Sequence, residues 1–185
     1  WYSYAMSPEE ARQEAEIFLK VLKDKRFAYP VYFDLEEPKQ IALGKTRCSA
    51  IAEAFLETVE KAGYFTGIYM SKSALESHMT DELKNRYAVW VAHYGVSQTD
   101  YSGQYGMWQK SDTGSVAGIS GNVDLNECYQ DYPFYIRRAG LNGFAKTAPD
   151  TDSDADHDLK EEKYFSVSFD GKTYSGTLTE NGKSE

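Results

Sequence analysis

The apolar positions near the start of the chain recur with helical spacing. They follow Ser7-Pro8-Glu9-Glu10, in which Ser7 can cap a helix, Pro8 suits its first turn and Glu10 completes a capping box. The sequence therefore predicts a helix from this point to about Lys25, with one face formed by Ala11, Ala15, Phe18, Leu19 and Leu22.

The period changes from helical spacing to strict alternation in residues 29–36, YPVYFDLE. Alternation is typical of a strand, because successive side chains leave opposite faces of a sheet. One predicted face carries the apolar side chains Val31, Phe33 and Leu35. The other face carries the polar or mixed side chains Tyr32, Asp34 and Glu36.

Helical and strand patterns then alternate before strands alone remain. The sequence predicts a helix over about 46–62 that Gly63 ends, a strand over 64–70, and short helices after Ser73 and Thr80. Strands joined by loops are predicted at 87–94, 105–110 and 116–125. This order indicates an α/β fold with a parallel sheet or a (β/α) barrel.

The composition changes at Ala145. Residues 145–163 are acidic and polar, which predicts a linker, and 150–162 alone carry −6 of the net charge of −9. Residues 164–169 and 172–178 alternate around Asp170-Gly171, which predicts a β-hairpin. We therefore expect a main domain at 1–144, a linker at 145–163 and the start of a second small β module at 164–185.

Composition narrows the class of protein. Of 185 residues, 41% are hydrophobic and 15% aromatic, which suffices for one core and gives aromatic rings for packing or for stacking on sugars. The net charge of −9 argues against a nucleic-acid partner. The sequence contains no apolar run of about 18 residues that would span a membrane. Cys48 and Cys128 lack metal-ligand spacing, so we expect two free or buried thiols, with a bridge between them as the alternative. We also expect a monomer, and no metal or organic cofactor.

The acidic pair Asp34 and Glu36 is the leading candidate for chemistry. Both side chains leave one face of the predicted strand, at the carboxyl end where barrel enzymes place their active sites. Each carboxylate raises the pKa of the other, and burial raises both further. Glycosidases use such a pair, with one carboxyl protonated and one ionised. The alternative is an exposed strand end that caps the next loop.

Six segments, taken in order, carry a resemblance to a known family. They are YSYA at 2–5, PVYFDLE at 30–36, AGYFTGIY at 62–69, VWVAHYG at 89–95, GMWQ at 106–109 and GNVDLN at 121–126. Residues 1–143 thereby resemble the family 25 lysozymes, or N-acetylmuramidases. The resemblance implies a TIM-like (β/α)5(β)3 barrel that hydrolyses the β-1,4 bond between N-acetylmuramic acid and N-acetylglucosamine in peptidoglycan glycan strands.

The resemblance also implies roles for individual residues. Glu36 matches the general acid. Asp34 matches the carboxylate that stabilises charge on the oxocarbenium ion or on a substrate acetamido group. Asp124 matches a further acidic residue of the site. The aromatics expected along the groove, with packing as the alternative for each, are Tyr2, Tyr32, Tyr69, Trp90 and Trp108. Such an enzyme is secreted, cell-wall associated or phage-encoded.

One departure from the family pattern changes the expectation for this chain. The family opens with a strand that carries another active-site Asp in a segment like D-V-S, and no such segment precedes Trp1. We therefore expect a barrel that lacks its first strands. A longer protein would be active, whereas the 185-residue chain would be weak or inactive. A non-catalytic, cell-wall-binding barrel is the alternative function.

Two further patterns are weaker. Acidic residues occupy positions 1, 3, 5, 7, 9 and 12 of a calcium loop that starts at Asp150, but Ala155 stands where the loop needs Gly and Pro149 precludes an entering helix. A solvated linker explains them better. The family 18 chitinase motif D-x-x-D-x-D-x-E would need Asp where this chain has Tyr29 and Tyr32, so that family is rejected.

Overall fold

The computed structural model describes residues 1–146, and it describes the backbone of two strands at 163–169 and 172–178. The helices are α1 (Pro8–Leu22), α2 (Pro38–Ile41), α3 (Lys45–Lys61), α4 (Lys72–His78), α5 (Asp81–Arg86) and α6 (Tyr132–Ala139). The strands are β1 (Val31–Asp34), β2 (Thr66–Ser71), β3 (Ala88–Ala92), β4 (Met107–Gly114), β5 (Val123–Cys128), β6 (Lys163–Phe169) and β7 (Lys172–Leu178).

The main sheet has the strand order β1-β2-β3-β4-β5. Strands β1 to β4 are parallel, and β5 runs antiparallel to β4. The segment before α1 extends the sheet beyond β1, because the Asp34 N–H donates to the Trp1 carbonyl and the Ser3 N–H donates to the Asp34 carbonyl, both at 2.9 Å. The expected α/β class is confirmed. Within residues 1–146 the sheet is open, with residues 1–3 and β5 at its two edges.

Helix α1 begins where the sequence predicts. The Ser7 hydroxyl accepts a hydrogen bond from the Glu10 N–H at 3.2 Å, and the Glu10 carboxylate accepts one from the Met6 N–H at 2.7 Å. The helix ends at Leu22, three residues before the predicted end. Asp24 there adopts a left-handed backbone with φ of 62°, which turns the chain out of the helix.

The alternation in β1 divides the sheet into two faces. Val31, Phe33 and Leu35 are buried in the apolar core against α1 and α3. The Phe33 ring lies 4.5 Å from the Phe55 ring, and Phe55 also stacks on Phe18. Because these contacts fix the face on which the odd-numbered side chains lie, the even-numbered side chains of β1 must leave the opposite face.

The late strands differ from the prediction in two places. Residues 116–122, predicted as part of a strand, form exposed turns, and β5 begins only at Val123. Gly118 and Gly121 adopt φ of 88° and 99°, which interrupts an extended backbone. Strand β4 continues to Gly114 through register shifts, so it is longer than the predicted 105–110.

Helix α6 was not predicted, although its ends carry ordinary signals. The Asp131 carboxylate accepts a hydrogen bond from the Phe134 N–H at 3.0 Å, and Gly140 ends the helix in the left-handed region. Beyond the helix, Asn142 is fully buried. Its amide accepts from the Phe65 N–H and donates to the Tyr29 carbonyl, both at 2.8 Å. Asn142 thus ties the end of the main domain to the segments that enter β1 and β2.

The remaining expectations concern the C-terminal part and the thiols. Strands β6 and β7 pair antiparallel around residues 170–171, whereas residues 147–162, most of the predicted linker, lie outside the described part. The domain boundaries stay a prediction. Cys48 and Cys128 are free, as expected. No helix among the described residues is long and apolar enough to cross a membrane.

The Asn142 amide bridge generates a stability prediction. Asn142→Ala removes the side chain that bonds the buried Phe65 N–H and the Tyr29 carbonyl, so the free energy of unfolding should fall by about 2–4 kcal/mol. Urea unfolding followed by circular dichroism measures this. Asn85→Ala, at an exposed position on α5, is the matched control and should cost well under half as much. Equal losses for the two variants would contradict the structural role of Asn142.

Candidate active site

Backbone pairing brings four predicted site residues side by side, because Tyr2 forms an isolated parallel bridge with Asp34 at the sheet edge. Asp34 on β1 is the register partner of Tyr69 on β2, and Tyr69 is the partner of Trp90 on β3. Partners in parallel strands project from the same face, so these side chains form a row across the sheet. The row lies near the carboxyl ends of the strands, on the face opposite the helices that cover Phe33 and Leu35.

Asp34 lies deeper than Glu36. The Asp34 side chain is half-buried, and its buried Oδ1 atom has no hydrogen-bond partner. Burial, followed by the charge of Glu36, raises the pKa of Asp34 to about 7. Glu36 is exposed, and its pKa is raised by burial and by the charge of Glu37. Leu35 between them is fully buried, so the alternation that the sequence predicts does hold.

The distribution of protons differs from the expectation. Glu36 was expected to be the protonated carboxyl, with Asp34 ionised. In the free protein the larger increase in pKa is at Asp34, because the strand holds it farther from water than Glu36. Two neighbouring carboxyls with unequal environments share protons unequally, and here the deeper one binds the proton more strongly.

An aromatic cluster stands beside the carboxyls. The Trp90 ring makes edge contacts with the rings of Tyr69 at 4.7 Å and Tyr32 at 5.2 Å. The Trp90 indole N–H donates to Asn126 Oδ1 on β5 at 2.9 Å, which fixes the ring across the sheet. A side chain at Gly67 would collide with the Tyr32 ring, so the glycine makes room for it. Three of the five predicted groove aromatics therefore pack together.

The other two predicted groove aromatics lie apart from this cluster. Tyr2 is exposed, and its hydroxyl donates to the Glu37 carboxylate at 2.9 Å, beside the end of β1. Trp108 is only 2% exposed and belongs to the core beneath the sheet. Its register partner is Val91, which faces the helices, so Trp108 does not line the groove and serves packing instead. Its indole N–H donates to the His93 carbonyl at 2.9 Å.

The structure adds two residues that the sequence analysis did not single out. Gln109 is the register partner of Ala92 and is only 3% exposed. Its Oε1 atom accepts hydrogen bonds from the hydroxyls of Tyr69, at 2.5 Å, and Tyr94, at 2.8 Å. The signal was present in GMWQ, because alternation sends Gln109 to the face opposite Trp108. Tyr94 follows the end of β3, where no strand period predicts its direction.

Asp124 is exposed on β5, at the far side of the same face. Burial raises the pKa of Tyr94, and the charges of Asp112, Asp124 and Glu36 add to this effect. The charges of Asp124 and Glu36 thus both act on the Tyr94 hydroxyl. The Tyr69 hydroxyl likewise feels the charges of Glu36 and Asp34, in addition to its burial.

Two further observations delimit the site. Among residues 1–146, no group of three or more His, Cys, Asp or Glu side chains is arranged to hold a metal ion. A cavity lined by Phe65, Tyr87, Gly106 and their neighbours opens at the amino-terminal ends of β2, β3 and β4. It contains none of the predicted site residues. The acidic face at the carboxyl ends of the strands is therefore the candidate active site.

The relatives found by comparison with known proteins include an uncharacterized protein and a lysozyme. YegX, an uncharacterized protein of Escherichia coli O157:H7, is 31% identical over 127 residues, which cover 68% of this chain and 46% of YegX. The autolytic lysozyme of Clostridium acetobutylicum is 27% identical over 129 residues, which cover 69% of this chain and 38% of that protein. The chain thus spans less than half the length of these curated relatives.

Solved structures of similar fold include lytic enzymes. The bacterial lysozyme from Streptomyces coelicolor is 25% identical with a TM-score of 0.56, and the match covers 78% of this chain and 70% of that one. The catalytic domain of endolysin ply40, from bacteriophage P40 of Listeria monocytogenes, is 25% identical with a TM-score of 0.57. That match covers 73% of this chain and 69% of the endolysin domain.

The family itself is identified by its sequence profile. The profile described as Glycosyl hydrolases family 25 matches residues 1–119, which is more than half of the chain. The matched region contains Asp34, Glu36, Tyr69, Trp90 and Gln109, and therefore most of the candidate active site. The resemblance inferred from the six sequence segments is confirmed: this chain belongs to glycosyl hydrolase family 25.

Proposed function

We propose that the chain is part of a peptidoglycan hydrolase that cleaves the β-1,4 bond between N-acetylmuramic acid and N-acetylglucosamine. The observation that carries the proposal is the placement of Asp34 and Glu36 on one face of the sheet, beside the row of Tyr69 and Trp90. Family membership and relatives described as lysozymes and an endolysin support it. We place the enzyme outside the bacterial cell, at its wall, or in a phage.

Glu36 is the proposed general acid. Its carboxyl is exposed at the end of the strand, where a leaving-group oxygen can reach it, and its pKa is already raised by burial and by Glu37. Asp34 is the proposed charge-stabilising carboxylate. Its half-exposed carboxylate can accept a hydrogen bond from a substrate amide and, once ionised, stabilises positive charge near the anomeric carbon.

Substrate binding would reverse the resting order of proton affinities. A glycan over the site covers the exposed Glu36 carboxyl and removes water from it, which raises the pKa of Glu36. A substrate N–H that donates to Asp34 stabilises the ionised form of that carboxyl and lowers its pKa. The one proton that the pair holds near neutral pH then passes, through solvent, from Asp34 to Glu36. Glu36 gives it to the glycosidic oxygen as the bond breaks.

The aromatic side chains have a separate part in the proposal. Tyr69 and Trp90 present ring surfaces next to the carboxyls, and ring faces suit the apolar faces of pyranoses. Tyr32 packs on Trp90, and Tyr2, paired with Asp34 at the sheet edge, adds a further exposed ring. Asp124 contributes negative charge at the far edge, near Tyr94. In the proposed whole fold, the described sheet is part of a TIM-like (β/α)5(β)3 barrel whose groove runs across these residues.

Removing the proposed acid tests the function directly. Glu36→Gln should lower the rate of peptidoglycan hydrolysis by about 10²–10⁴-fold, because general acid catalysis contributes a factor of that order. The measurement is release of reducing sugars from purified cell walls by the chain at its full natural length. Glu16→Gln, an exposed position on α1, is the matched control and should retain full activity.

Wall hydrolysis that survives Glu36→Gln would contradict the role of Glu36. A wild-type protein that binds cell walls without cutting them would instead favour the non-catalytic, wall-binding alternative.

The carboxyl pair also predicts the pH dependence of hydrolysis. The active form carries one proton on the pair, so activity should fall on the acid side, where both carboxyls are protonated. It should also fall above about pH 7, where the pair loses its last proton. Asp34→Asn removes the repulsion between the two charges, so the alkaline limb of its residual activity should move to lower pH. An unchanged alkaline limb in Asp34→Asn would contradict the coupling.

The raised pKa of Asp34 predicts a cost in stability. Between the unfolded pKa of about 4 and the folded pKa of about 7, the folded state retains a proton that the unfolded state has lost, so stability falls as pH rises through this window. Asp34→Asn does not titrate. Its melting temperature should therefore exceed that of the wild type by a few degrees at pH 7.5, with the difference shrinking towards pH 4. Scanning calorimetry at the two pH values measures this, and a constant difference would contradict it.

A further inference from the structure

The hydroxyl of Tyr69 donates to an acceptor other than the acidic pair. Tyr69 is the register partner of Asp34, and its hydroxyl feels the charges of both Asp34 and Glu36. Nevertheless, Asp34 Oδ1 is buried without a hydrogen-bond partner. Buried carboxylate oxygens ordinarily have a hydrogen-bond donor, so it matters which acceptor holds the proton of the Tyr69 hydroxyl.

Gln109 is that acceptor. Its Oε1 atom accepts from the hydroxyls of both Tyr69 and Tyr94, and a carbonyl oxygen has two lone pairs, so both are in use. Gln109 itself is 3% exposed within β4, which leaves its amide little freedom to turn away. The two tyrosine protons are thereby directed towards β4 and away from β1.

We propose that Gln109 is a positioning residue that engages the hydroxyl proton of Tyr69, with that of Tyr94 beside it, and thereby withholds it from Asp34. Hydrogen bonds to an ionised carboxylate favour the ionised form. By keeping this donor away, Gln109 preserves the proton on the acidic pair. The same arrangement turns the lone pairs of the two hydroxyl oxygens towards the groove, where they can accept hydrogen bonds from sugar hydroxyl or amide groups.

Several titratable and charged groups surround this network. Asp34 faces Glu36 on its own strand, the Trp1 amino group on the preceding segment and Tyr69 on β2. Glu36 faces Glu37, and Tyr94 faces Tyr69, Asp112, Asp124 and Glu36. Gln109→Met leaves all of these groups in place, and Tyr69→Phe removes only the Tyr69 hydroxyl.

The test is the titration of Asp34 by carboxyl ¹³C NMR in the 185-residue chain and its variants. Gln109→Met keeps the length and apolar volume of the side chain but removes the acceptor, so the Tyr69 hydroxyl becomes free to donate to Asp34. The pKa of Asp34 should fall by about one unit, the scale of one hydrogen bond to a charged group. In the double variant Gln109→Met with Tyr69→Phe this fall should vanish, because no hydroxyl remains to be released.

A second variant keeps the test decisive if Gln109→Met does not fold. Tyr69→Phe alone should leave the pKa of Asp34 within a few tenths of a unit of the wild type, because the proton it removes was committed to Gln109. The proposal is overturned if Gln109→Met leaves the pKa of Asp34 unchanged, if the fall persists in the double variant, or if Tyr69→Phe alone raises the pKa clearly.

The effect of Gln109 on catalysis rests on the proposed glycosidase function, whereas its effect on the pKa of Asp34 does not. If the enzyme is a glycosidase, the alkaline limb of hydrolysis in Gln109→Met should move to lower pH by the amount that NMR measures. A shift in the titration with no hydrolysis by the wild-type chain at its full natural length would sustain the role of Gln109 and refute the proposed function. Hydrolysis with an unshifted limb and an unshifted titration would refute the role of Gln109 alone.

Discussion

The site depends on the alternation of side chains in β1, which buries one face and so determines what the other face must carry. Phe33 and Leu35 are fully buried, and Phe33 packs on Phe55 of α3. A slip of the strand by one residue would bury Asp34 and Glu36 and expose both apolar side chains, at a cost of several kcal/mol for the lost apolar burial alone. Core packing therefore holds two like charges together on the opposite face.

The unequal depth of the two carboxyls is the chemical result of this constraint. Asp34 lies within the strand and Glu36 beyond its end, so the same backbone gives them different contact with water. Water stabilises the ionised form of a carboxyl, and the deeper residue therefore retains a proton more strongly. Gln109 adds to this difference by committing the Tyr69 proton elsewhere. A local loss of stability at the functional face is common in enzyme active sites.

Part of this arrangement could be predicted from the sequence, because it follows from the period of the strand pattern. The alternation in YPVYFDLE assigns Asp34 and Glu36 to one face without any tertiary information. Register is a property of the assembled sheet, however, and only the structure shows that Tyr69 and Trp90 join Asp34 while Trp108 faces the helices. The glycines at 118 and 121 permit either an extended strand or turns, and the structure has turns. Helix α6 is short, and its apolar pattern was too brief to suggest a period.

We infer that Asp34 and Glu36 titrate as an interacting pair whose proton affinities are driven apart by their surroundings. The most direct measurement is site-resolved ¹³C NMR titration of both carboxyls in the wild-type chain and of Asp34 in Glu36→Gln. Asp34 should titrate near pH 7 in the wild type and at lower pH once the charge of Glu36 is gone. Independent titration of both carboxyls near pH 4, with Asp34 indifferent to Glu36→Gln, would contradict it.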